Sequence, residues 1–275
     1  MTVHEGRSIA ASPSNVKVAS PKRSPGGAGR RRRIDLALVE RGLAESREKA
    51  RQLIEAGAVE IDGVNRAKPG TRVGEGARIR ILKEPADAAL RYVGRGGLKL
   101  ESGIIQFGLD FRDAVAADIG ASTGGFTDCL LQHGAVRVYA IDVGYGQLAW
   151  TLRKDPRVII LERTNIRNMP AARLPEAVDW VTIDVSFISL TKVLPKAIEL
   201  LKPGGGIVAL VKPQFEVGRG EVGKGGIVRD EALREKALKD IVDFAASLGL
   251  RCRGTATSSI TGQKGNIEFL VYLVQ

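Results

Sequence analysis

The stretch Asp118-Ile-Gly-Ala-Ser-Thr-Gly-Gly-Phe-Thr127 decides the fold, because it joins two segments whose apolar patterns differ. Val115–Ile119 is a short, mostly apolar run typical of a buried strand, and Phe126–Gln132 has helical spacing. Glycines at such a turn let the backbone approach a ligand closely, and the helix that follows presents free N–H groups. The stretch therefore predicts a strand–loop–helix unit that holds a ligand.

An acidic residue follows at the distance that is typical of an adenosine-binding site. Asp142 lies 22 residues after Gly120, near the carboxyl end of the next apolar segment, Val136–Val143. Rossmann-type folds place an acid there, on the ribose hydroxyls of an adenosine ligand. The glycines of the loop do not match the GxGxxG spacing that a pyrophosphate favours. We therefore expect S-adenosylmethionine, which has no phosphate, as the cofactor.

The chain from residue 96 to residue 275 alternates between strand-like and helical segments. Further strand-like segments are Val158–Glu162, Val178–Asp184, Ile207–Lys212 and Ile267–Val274. Helical patterns between them include Leu190–Leu201 and Asp230–Leu248. Alternating units of this length predict an α/β domain with a doubly wound, mostly parallel sheet of the class I, Rossmann-like type.

The first third of the chain has a different organisation. Residues 1–29 contain Ser, Pro, Gly and basic residues without hydrophobic periodicity, so we expect a disordered basic tail. Residues 30–84 hold two short helical segments, Ile34–Leu43 and one that Ser46 caps and Gly57 ends. Strand-like segments follow at Val59–Ile61 and Arg78–Leu82. We predict a small α+β module here, with residues 85–95 as the linker to the α/β domain.

Basic residues are concentrated in this N-terminal part. The formal net charge is +11, and residues 1–92 carry 19 Lys and Arg against 11 Asp and Glu. Such an excess predicts a polyanionic partner. We expect an RNA-binding surface in the two short helical segments and the arginine run before them, formed by Arg32, Arg33, Arg47, Lys49 and Arg51. A basic face without a specific ligand is the alternative.

The composition argues against several classes of protein. Two cysteines, Cys129 and Cys252, cannot form a disulfide framework, and two histidines make a histidine metal site or a Ser-His-Asp triad improbable. No apolar run approaches the roughly 18 residues of a membrane helix, and the N-terminus lacks the apolar part of a signal peptide. We expect a soluble, cytoplasmic protein with no metal, no membrane contact and no obligate protein partner.

Charged side chains occur where the predicted strands end. Asp184 ends the fourth strand and Lys212 the fifth, and ligands of an open α/β sheet bind at those carboxyl ends. Lys99 precedes the first strand, and Glu268 is the acid in the apolar final strand. A lysine and a carboxylate at the same edge indicate chemistry rather than a salt bridge at the rim.

These strings resemble the TlyA-type rRNA 2′-O-methyltransferases, historically named hemolysins, whose catalytic domain is similar to the FtsJ/RrmJ methyltransferases. The resemblance runs from about Arg32 to the C-terminus. It is carried by Asp118–Thr127, Asp142-Val-Gly-Tyr-Gly-Gln-Leu148, Asp184-Val-Ser-Phe-Ile-Ser-Leu190, Val211-Lys-Pro-Gln-Phe-Glu216 and Gly265-Asn-Ile-Glu268. The basic module is similar to the S4 RNA-binding domain of the same family.

The resemblance implies an S-adenosylmethionine-dependent enzyme with a Lys-Asp-Lys-Glu tetrad, matched here by Lys99, Asp184, Lys212 and Glu268. A ribose 2′-hydroxyl is a poor nucleophile, so transfer to it requires precise positioning and help with its proton. We assign Lys212 to the hydroxyl and the other three residues to geometry and charge, with no metal. The expected cofactor-binding residues are Asp118, Gly120, Ala121, Ser122, Thr123, Gly124, Gly125, Phe126, Asp142, Val143, Asn165, Asp184 and Phe187.

The resemblance also implies the target, a cytidine in the rRNA of an assembled ribosomal subunit. Family members that methylate both subunits carry a C-terminal extension, and this chain stops at Gln275, which favours the large (23S) over the small (16S) subunit. The chain departs from the family in the linker, where Leu90-Arg-Tyr-Val93 replaces Arg-x-Trp-Val. Two other classes stay open: a hemolysin-like membrane-active protein, and a non-catalytic RNA-binding factor that keeps the methyltransferase fold as a scaffold.

Overall fold

The computed structural model describes residues 17–19, 31–64, 68–82, 86, 90–262 and 265–275. Its contacts divide the chain into two units, Met1–Arg91 and Tyr92–Gln275. Tyr92 is buried in the core of the second unit, and the Val93 N–H donates to the Asp128 carboxylate of that unit at 2.7 Å. The end of the segment that we expected to be linker is therefore part of the second unit.

The first unit has the two helices and the small β structure that the sequence predicts. The helices are α1 (Ile34–Glu40) and α2 (Arg47–Glu55); the strands are β1 (Lys17–Ala19), β2 (Arg32–Arg33), β3 (Val59–Ile61), β4 (Arg72–Val73) and β5 (Ile79–Ile81). The Ser46 hydroxyl accepts a hydrogen bond from the Lys49 N–H at 3.2 Å, which confirms the predicted N-cap. A core that includes Ile34, Leu38, Leu53 and Ile79 holds the helices on the strands.

Strand β1 lies within the segment that we expected to be disordered. It pairs antiparallel with β5, on the edge opposite β3. The prediction of disorder is wrong for these three residues, because pairing with the edge of a sheet satisfies backbone groups and requires no hydrophobic periodicity. The other residues of the predicted tail lie outside the described residues.

The second unit is a seven-stranded sheet with helices on both faces. The strands are β6 (Val115–Ile119), β7 (Arg137–Ile141), β8 (Val158–Leu161), β9 (Val178–Ile183), β10 (Leu201–Val211), β11 (Arg251–Thr257) and β12 (Phe269–Val274). The helices are α3 (Gly96–Phe107), α4 (Gly125–Gln132), α5 (Trp150–Arg153), α6 (Leu194–Leu200), α7 (Pro213–Glu216) and α8 (Glu231–Ser247). The strand order is β11-β12-β10-β9-β6-β7-β8. Five neighbouring strands are parallel and β12 is antiparallel to both of its neighbours, which confirms a mostly parallel, doubly wound sheet.

Alternating residues of the strands face two separate cores. Ala117 and Ile119 of β6 pack in one core with residues of α6 and α8, whereas Ala116 packs on the opposite face with residues of α3 and α4. Burial on both faces explains why these strands are apolar runs rather than alternating patterns. The sheet is therefore a fixed frame for the loops at its edge.

Several elements differ from the predicted ones. Helix α3 and strand β11 were not predicted, and the helix expected over Leu190–Leu201 begins as a 3-10 turn, Leu190–Lys192, before α6. Pro195 lies in the first turn of α6, where its missing N–H leaves no intrahelical hydrogen bond unmade. Among the strands that the structure describes, β11 pairs only with β12; it is largely exposed, so its polar sequence carries no apolar alternation.

Candidate active site and RNA-binding surface

A cleft of about 470 Å³ lies at the edge of the sheet where β6, β9 and β10 end. Strand β12 runs antiparallel to β10, so β12 begins at the same edge. Ligands of open α/β sheets bind at this edge, and the volume lies in the range of roughly 300–1,000 Å³ that is usual for ligand sites. All four residues of the predicted tetrad line the cleft.

The first pair of the tetrad joins α3 to the start of β12. Lys99 Nζ lies 2.5 Å from Glu268 Oε2, and the two residues are 8% and 2% exposed. The turn before β12 packs on the carboxylate so closely that a Cβ at Gly262 would lie 1.9 Å from Glu268 Oε1. A side chain at position 262 would therefore push the Glu268 carboxylate out of its present position beside Lys99.

The second pair joins the ends of two parallel strands. Lys212 follows β10, Asp184 follows β9, and Lys212 Nζ lies 2.6 Å from Asp184 Oδ1. Lys212 Nζ also donates to the Ser186 hydroxyl at 3.0 Å. The Asp184 N–H donates to the Ile119 carbonyl at 2.9 Å, so the backbone fixes where this carboxylate leaves the sheet. The Lys212 side chain thus has two oxygen partners on one loop.

Two ammonium groups and two carboxylates face one cleft, and three of the four residues are nearly buried. Burying two charged side chains costs desolvation free energy that apolar side chains would not cost. A buried ion pair is therefore weak evidence that the pair serves to stabilise the fold. Positioned cations and carboxylates can instead orient a substrate hydroxyl and handle its proton. The arrangement is therefore suited to proton handling at a neutral nucleophile.

The loop between β6 and α4 has the left-handed backbone that glycine favours. Gly120 has a φ of 88°, and a Cβ there would lie 2.7 Å from the Asp184 carbonyl oxygen. Gly124 has a φ of 95°, and a Cβ there would lie 2.2 Å from Leu152 Cδ1. The residues of this loop and of the first turn of α4 that line the cleft are Gly120, Ala121, Ser122, Thr123, Gly125 and Phe126, whereas Gly124 packs towards α5.

Asp118 lies beneath this loop and does not line the cleft. It is fully buried, and its carboxylate accepts hydrogen bonds from the hydroxyls of Thr127 at 2.6 Å and Thr182 at 3.1 Å. Burial raises the pKa of the Asp118 carboxyl to about 7, although the two hydroxyls lower it in part. Asp118 therefore lies under the loop and has no surface on the cleft where a ligand could contact it directly.

Asp142 is bound to the same loop from the next strand. It follows β7, and its two carboxylate oxygens accept the N–H groups of Ser122 at 2.8 Å and Gly144 at 2.6 Å. A carboxylate has about four acceptor sites, so hydroxyls can be added to these two bonds. Asp142 does not line the cleft itself but lies against the loop that does.

The three remaining predicted cofactor residues, Val143, Asn165 and Phe187, have different surroundings. Val143 is exposed beside Asp142, and Asn165 caps a 3-10 turn by accepting the Arg167 N–H at 3.2 Å. Phe187 lines the cleft, is 88% exposed and has a φ of 65°, which is unusual for a bulky residue. Its ring centroid lies 5.2 Å from that of Phe215.

Several lining residues were missed by the sequence analysis. Ser186, Gln214, Phe215 and Asn266 line the cleft, and each lies within a string that carries the family resemblance. Arg95, Gly96, Val222 and Gly226 also line it. The signal for the first four was therefore present, but within these three strings only Asp184, Phe187, Lys212 and Glu268 were named as site residues.

The predicted RNA-binding residues lie in the first unit. Arg32, Arg33, Arg47 and Arg51 are exposed and Lys49 is half-buried. Arg33 and Arg47 share the Asp35 carboxylate, whereas Arg32 pairs with Glu40 and Arg51 lies 4.0 Å from Glu55. Four of the five predicted cations thus have acidic neighbours within the unit.

Among the residues that the structure describes, no helix is both long and apolar enough to cross a membrane. The same residues contain no group of three or more His, Cys, Asp or Glu side chains that could hold a metal ion.

Comparisons with known proteins agree on one family. A model of the FtsJ-like methyltransferase family matches residues 92–275, and a model of the S4 domain matches residues 32–79. The chain is 50% identical to YqxC of Bacillus subtilis over 245 residues, which cover 89% of this chain and 86% of that protein. It is 45% identical to the 16S/23S rRNA (cytidine-2′-O)-methyltransferase TlyA of Mycobacterium tuberculosis over 244 residues, covering 89% of this chain and 90% of that protein.

A solved structure from Streptococcus thermophilus, which carries a hemolysin name, is similar over most of the chain. The TM-score is 0.70 at 44% sequence identity, and the similarity covers 90% of each chain. The match therefore includes both units rather than the methyltransferase fold alone.

Proposed function

This chain belongs to the TlyA-type, FtsJ-like methyltransferases that carry an S4 domain, and from that premise we propose that it methylates the ribose 2′-hydroxyl of a cytidine in rRNA. The observation that carries the proposal is the convergence of the Lys99–Glu268 and Lys212–Asp184 ion pairs on one cleft beside the glycine-rich loop. We take the large-subunit RNA as the first substrate, as the family resemblance implies, and we include the small-subunit RNA because the TlyA relative is named for both.

The residues of the cleft fit S-adenosylmethionine as the cofactor. Gln214 Oε1 is buried in the cleft and has no hydrogen-bond partner among the described residues, so an acceptor is ready for a donor on a ligand. The loop from Gly120 to Thr123 lines the neighbouring part, and Asp142 lies against that loop with acceptor sites for ribose hydroxyls. When bound, S-adenosylmethionine supplies an electrophilic methyl carbon, and its displacement leaves the neutral thioether S-adenosylhomocysteine.

The tetrad residues act on the nucleophile. Lys212 Nζ contacts the 2′-oxygen and orients one lone pair, while Asp184 holds Lys212 at 2.6 Å and receives the hydroxyl proton through it as the carbon–oxygen bond forms. Lys99 and Glu268 also line the cleft, and as an ion pair they add no net charge to it. Positioning of this kind accounts for much of the rate of a bimolecular transfer.

The S4 unit brings the enzyme to its substrate. We place RNA contacts on Arg32, Arg33, Arg47, Lys49 and Arg51, since a cluster of cations of which four are exposed favours phosphate binding. Because ribosomal subunits are the proposed substrate, we expect the enzyme to act in the cytoplasm.

Replacing Lys212 tests the proposal. Lys212→Ala should lower the rate of methyl transfer from labelled S-adenosylmethionine to purified large ribosomal subunits by about 100-fold or more, the usual contribution of a positioned acid–base group. Cofactor affinity, measured by calorimetry, should stay within a few-fold because we assign Lys212 to the substrate hydroxyl and not to the cofactor. Lys192→Ala, at an exposed lysine that does not line the cleft, is the matched control.

Two results would contradict the proposal in different ways. Turnover of Lys212→Ala near that of the parent chain would remove Lys212 from the mechanism. A parent chain that binds no S-adenosylmethionine and transfers no methyl group to either subunit would favour the non-catalytic RNA-binding factor.

A further inference from the structure

One buried carboxylate organises two of the exposed arginines in the first unit. Asp35 lies in the first turn of α1 and is fully buried. Its Oδ1 accepts from Arg33 Nε at 3.0 Å, and its Oδ2 accepts from Arg33 Nη2 at 2.9 Å and from Arg47 Nη2 at 3.2 Å. The Leu36 N–H also donates to Oδ1 at 3.0 Å, so the carboxylate itself is fixed to the helix.

The two guanidinium groups are held on one side only. The side chains of Arg33 and Arg47 are 47% and 58% exposed although the carboxylate between them is buried. A guanidinium has five N–H donors in a planar fork, and Arg33 directs only one edge of that fork at Asp35. Donors on the outer edges therefore remain for a ligand in solution.

The cluster of Asp35, Arg33 and Arg47 has a net positive charge, whereas the Arg32–Glu40 and Arg51–Glu55 pairs are each neutral. Two arginines share one carboxylate, and Arg33 lies directly opposite Arg72 in the β2–β4 pair, which puts a third cation on the same face of the ribbon. Like charges opposite each other on a ribbon cost stability unless an anion joins them. The ligand that fits is therefore an anion with several oxygens, and a phosphate group matches the fork geometry.

Arg41 shows what a structural arginine looks like in the same unit. Its guanidinium donates to three backbone carbonyls, those of Gly74, Glu75 and Ala77. Those bonds close a turn of the chain. The Asp35 cluster closes no turn and instead immobilises two exposed cations.

We propose that Asp35 holds Arg33 and Arg47 as one prearranged site for a phosphate of the RNA backbone. The proposal rests on the RNA-binding function of the S4 unit given above and adds a positioning residue to it. Asp35 touches no RNA; it removes the conformational entropy that the two arginines would otherwise lose on binding.

Whether RNA affinity rises or falls on replacement of Asp35 tests this inference. Asp35→Asn has nearly the same shape and removes a negative charge from an RNA-binding surface, so electrostatics alone predicts tighter binding to RNA. If Asp35 prearranges the arginines, the variant binds purified large ribosomal subunits roughly tenfold more weakly across a salt titration, because the fork contacts are lost. Affinity equal to or tighter than that of the parent chain overturns the inference.

A second comparison does not depend on how Asp35→Asn folds. Arg47→Lys keeps the charge but cannot form the same fork, so it should weaken subunit binding several-fold. Arg78→Lys, at an exposed arginine of the same unit that is outside the proposed RNA-binding residues, is the matched control and should bind as the parent chain does. Equal affinities for the two variants would overturn the inference, and thermal unfolding of each verifies that the unit is folded.

A third variant separates this inference from the function on which it rests. Arg33→Gln with Arg47→Gln removes both charges while keeping a donor for Asp35. Unchanged subunit binding would show that this surface does not bind RNA at all. Weaker binding in that variant, with parent-like binding by Asp35→Asn and Arg47→Lys, would reject only the positioning role.

Discussion

Asp118 is a single residue whose charge depends on pH near neutrality. Its pKa is raised to about 7 from an ordinary value of 3.8, because it is buried beneath the cofactor loop. Between these values the unfolded chain has lost the proton that the folded chain retains. Stability from this residue is therefore present below about pH 4, falls as the pH rises, and is lost above about pH 7.

Asp118→Asn should abolish this dependence. The free energy of unfolding of the variant, relative to the parent chain, should rise by about 2–4 kcal/mol between pH 4 and pH 8, at 1.36 kcal/mol per unit of pKa. Urea unfolding followed by tryptophan fluorescence reports on the correct unit, since Trp150 and Trp180 are both in it.

Asp155 serves as a control, because its pKa is shifted in the opposite direction to that of Asp118. The hydrogen bond from Arg157 lowers the pKa of Asp155, so Asp155→Asn should lose stability relative to the parent chain as the pH rises through the acid range. A pH-independent difference between Asp118→Asn and the parent chain would mean that Asp118 is ionised throughout.

Single charged residues could be predicted from the sequence more readily than uncharged ones. Lys99, Asp184, Lys212 and Glu268 were expected and lie together, because strand ends define where such side chains meet. Gln214 was missed, because its significance comes from a buried oxygen without a partner, which only side-chain coordinates reveal. The roles of the four charged residues remain predictions.

At the scale of an element, the loop between β6 and α4 depends on its glycines to lie close to the end of β9. Gly120→Ala would require an alanine at a φ of 88° and would place a Cβ 2.7 Å from the Asp184 carbonyl oxygen. Since that carbonyl is backbone at the end of β9, the loop must move away from it. We expect cofactor affinity in calorimetry to fall at least about tenfold, with methyl transfer falling further, because a shift of about 1 Å is costly in catalysis.

A second glycine separates the contact from the backbone strain. Gly204 has a similar φ of 78°, but a Cβ there would meet no atom within 4 Å. Gly204→Ala should cost only about 1–2 kcal/mol of stability, with normal cofactor binding. Parent-like affinity in Gly120→Ala would show that the loop does not depend on this close contact.

Elements were predictable where burial imposed a pattern. Strands β6, β7 and β9 are buried on both faces, so their apolar runs were recognised. Strand β11 was missed since its place at the edge of the sheet comes from pairing with β12 alone. Helix α3 was missed because it begins with Gly96 and Gly97, which are poor helix formers but leave room for neighbouring side chains.

At the scale of the whole molecule, charge and pattern separate the chain into two units with different tasks. The basic excess of residues 1–92 and the change of periodicity near residue 96 predicted the division. The position of the boundary was not predictable, because the burial of Tyr92 in the second unit depends on tertiary packing. The central claim is that the first unit binds rRNA and the second transfers a methyl group to it.

Mass-spectrometric mapping of ribose methylation tests this claim most directly. The rRNA would be taken from cells that lack this chain, complemented either with the parent chain or with Lys212→Ala. We expect a 2′-O-methylcytidine, first in large-subunit rRNA, that is present with the parent chain and missing both without it and with the variant. Identical ribose methylation in all three samples would contradict it.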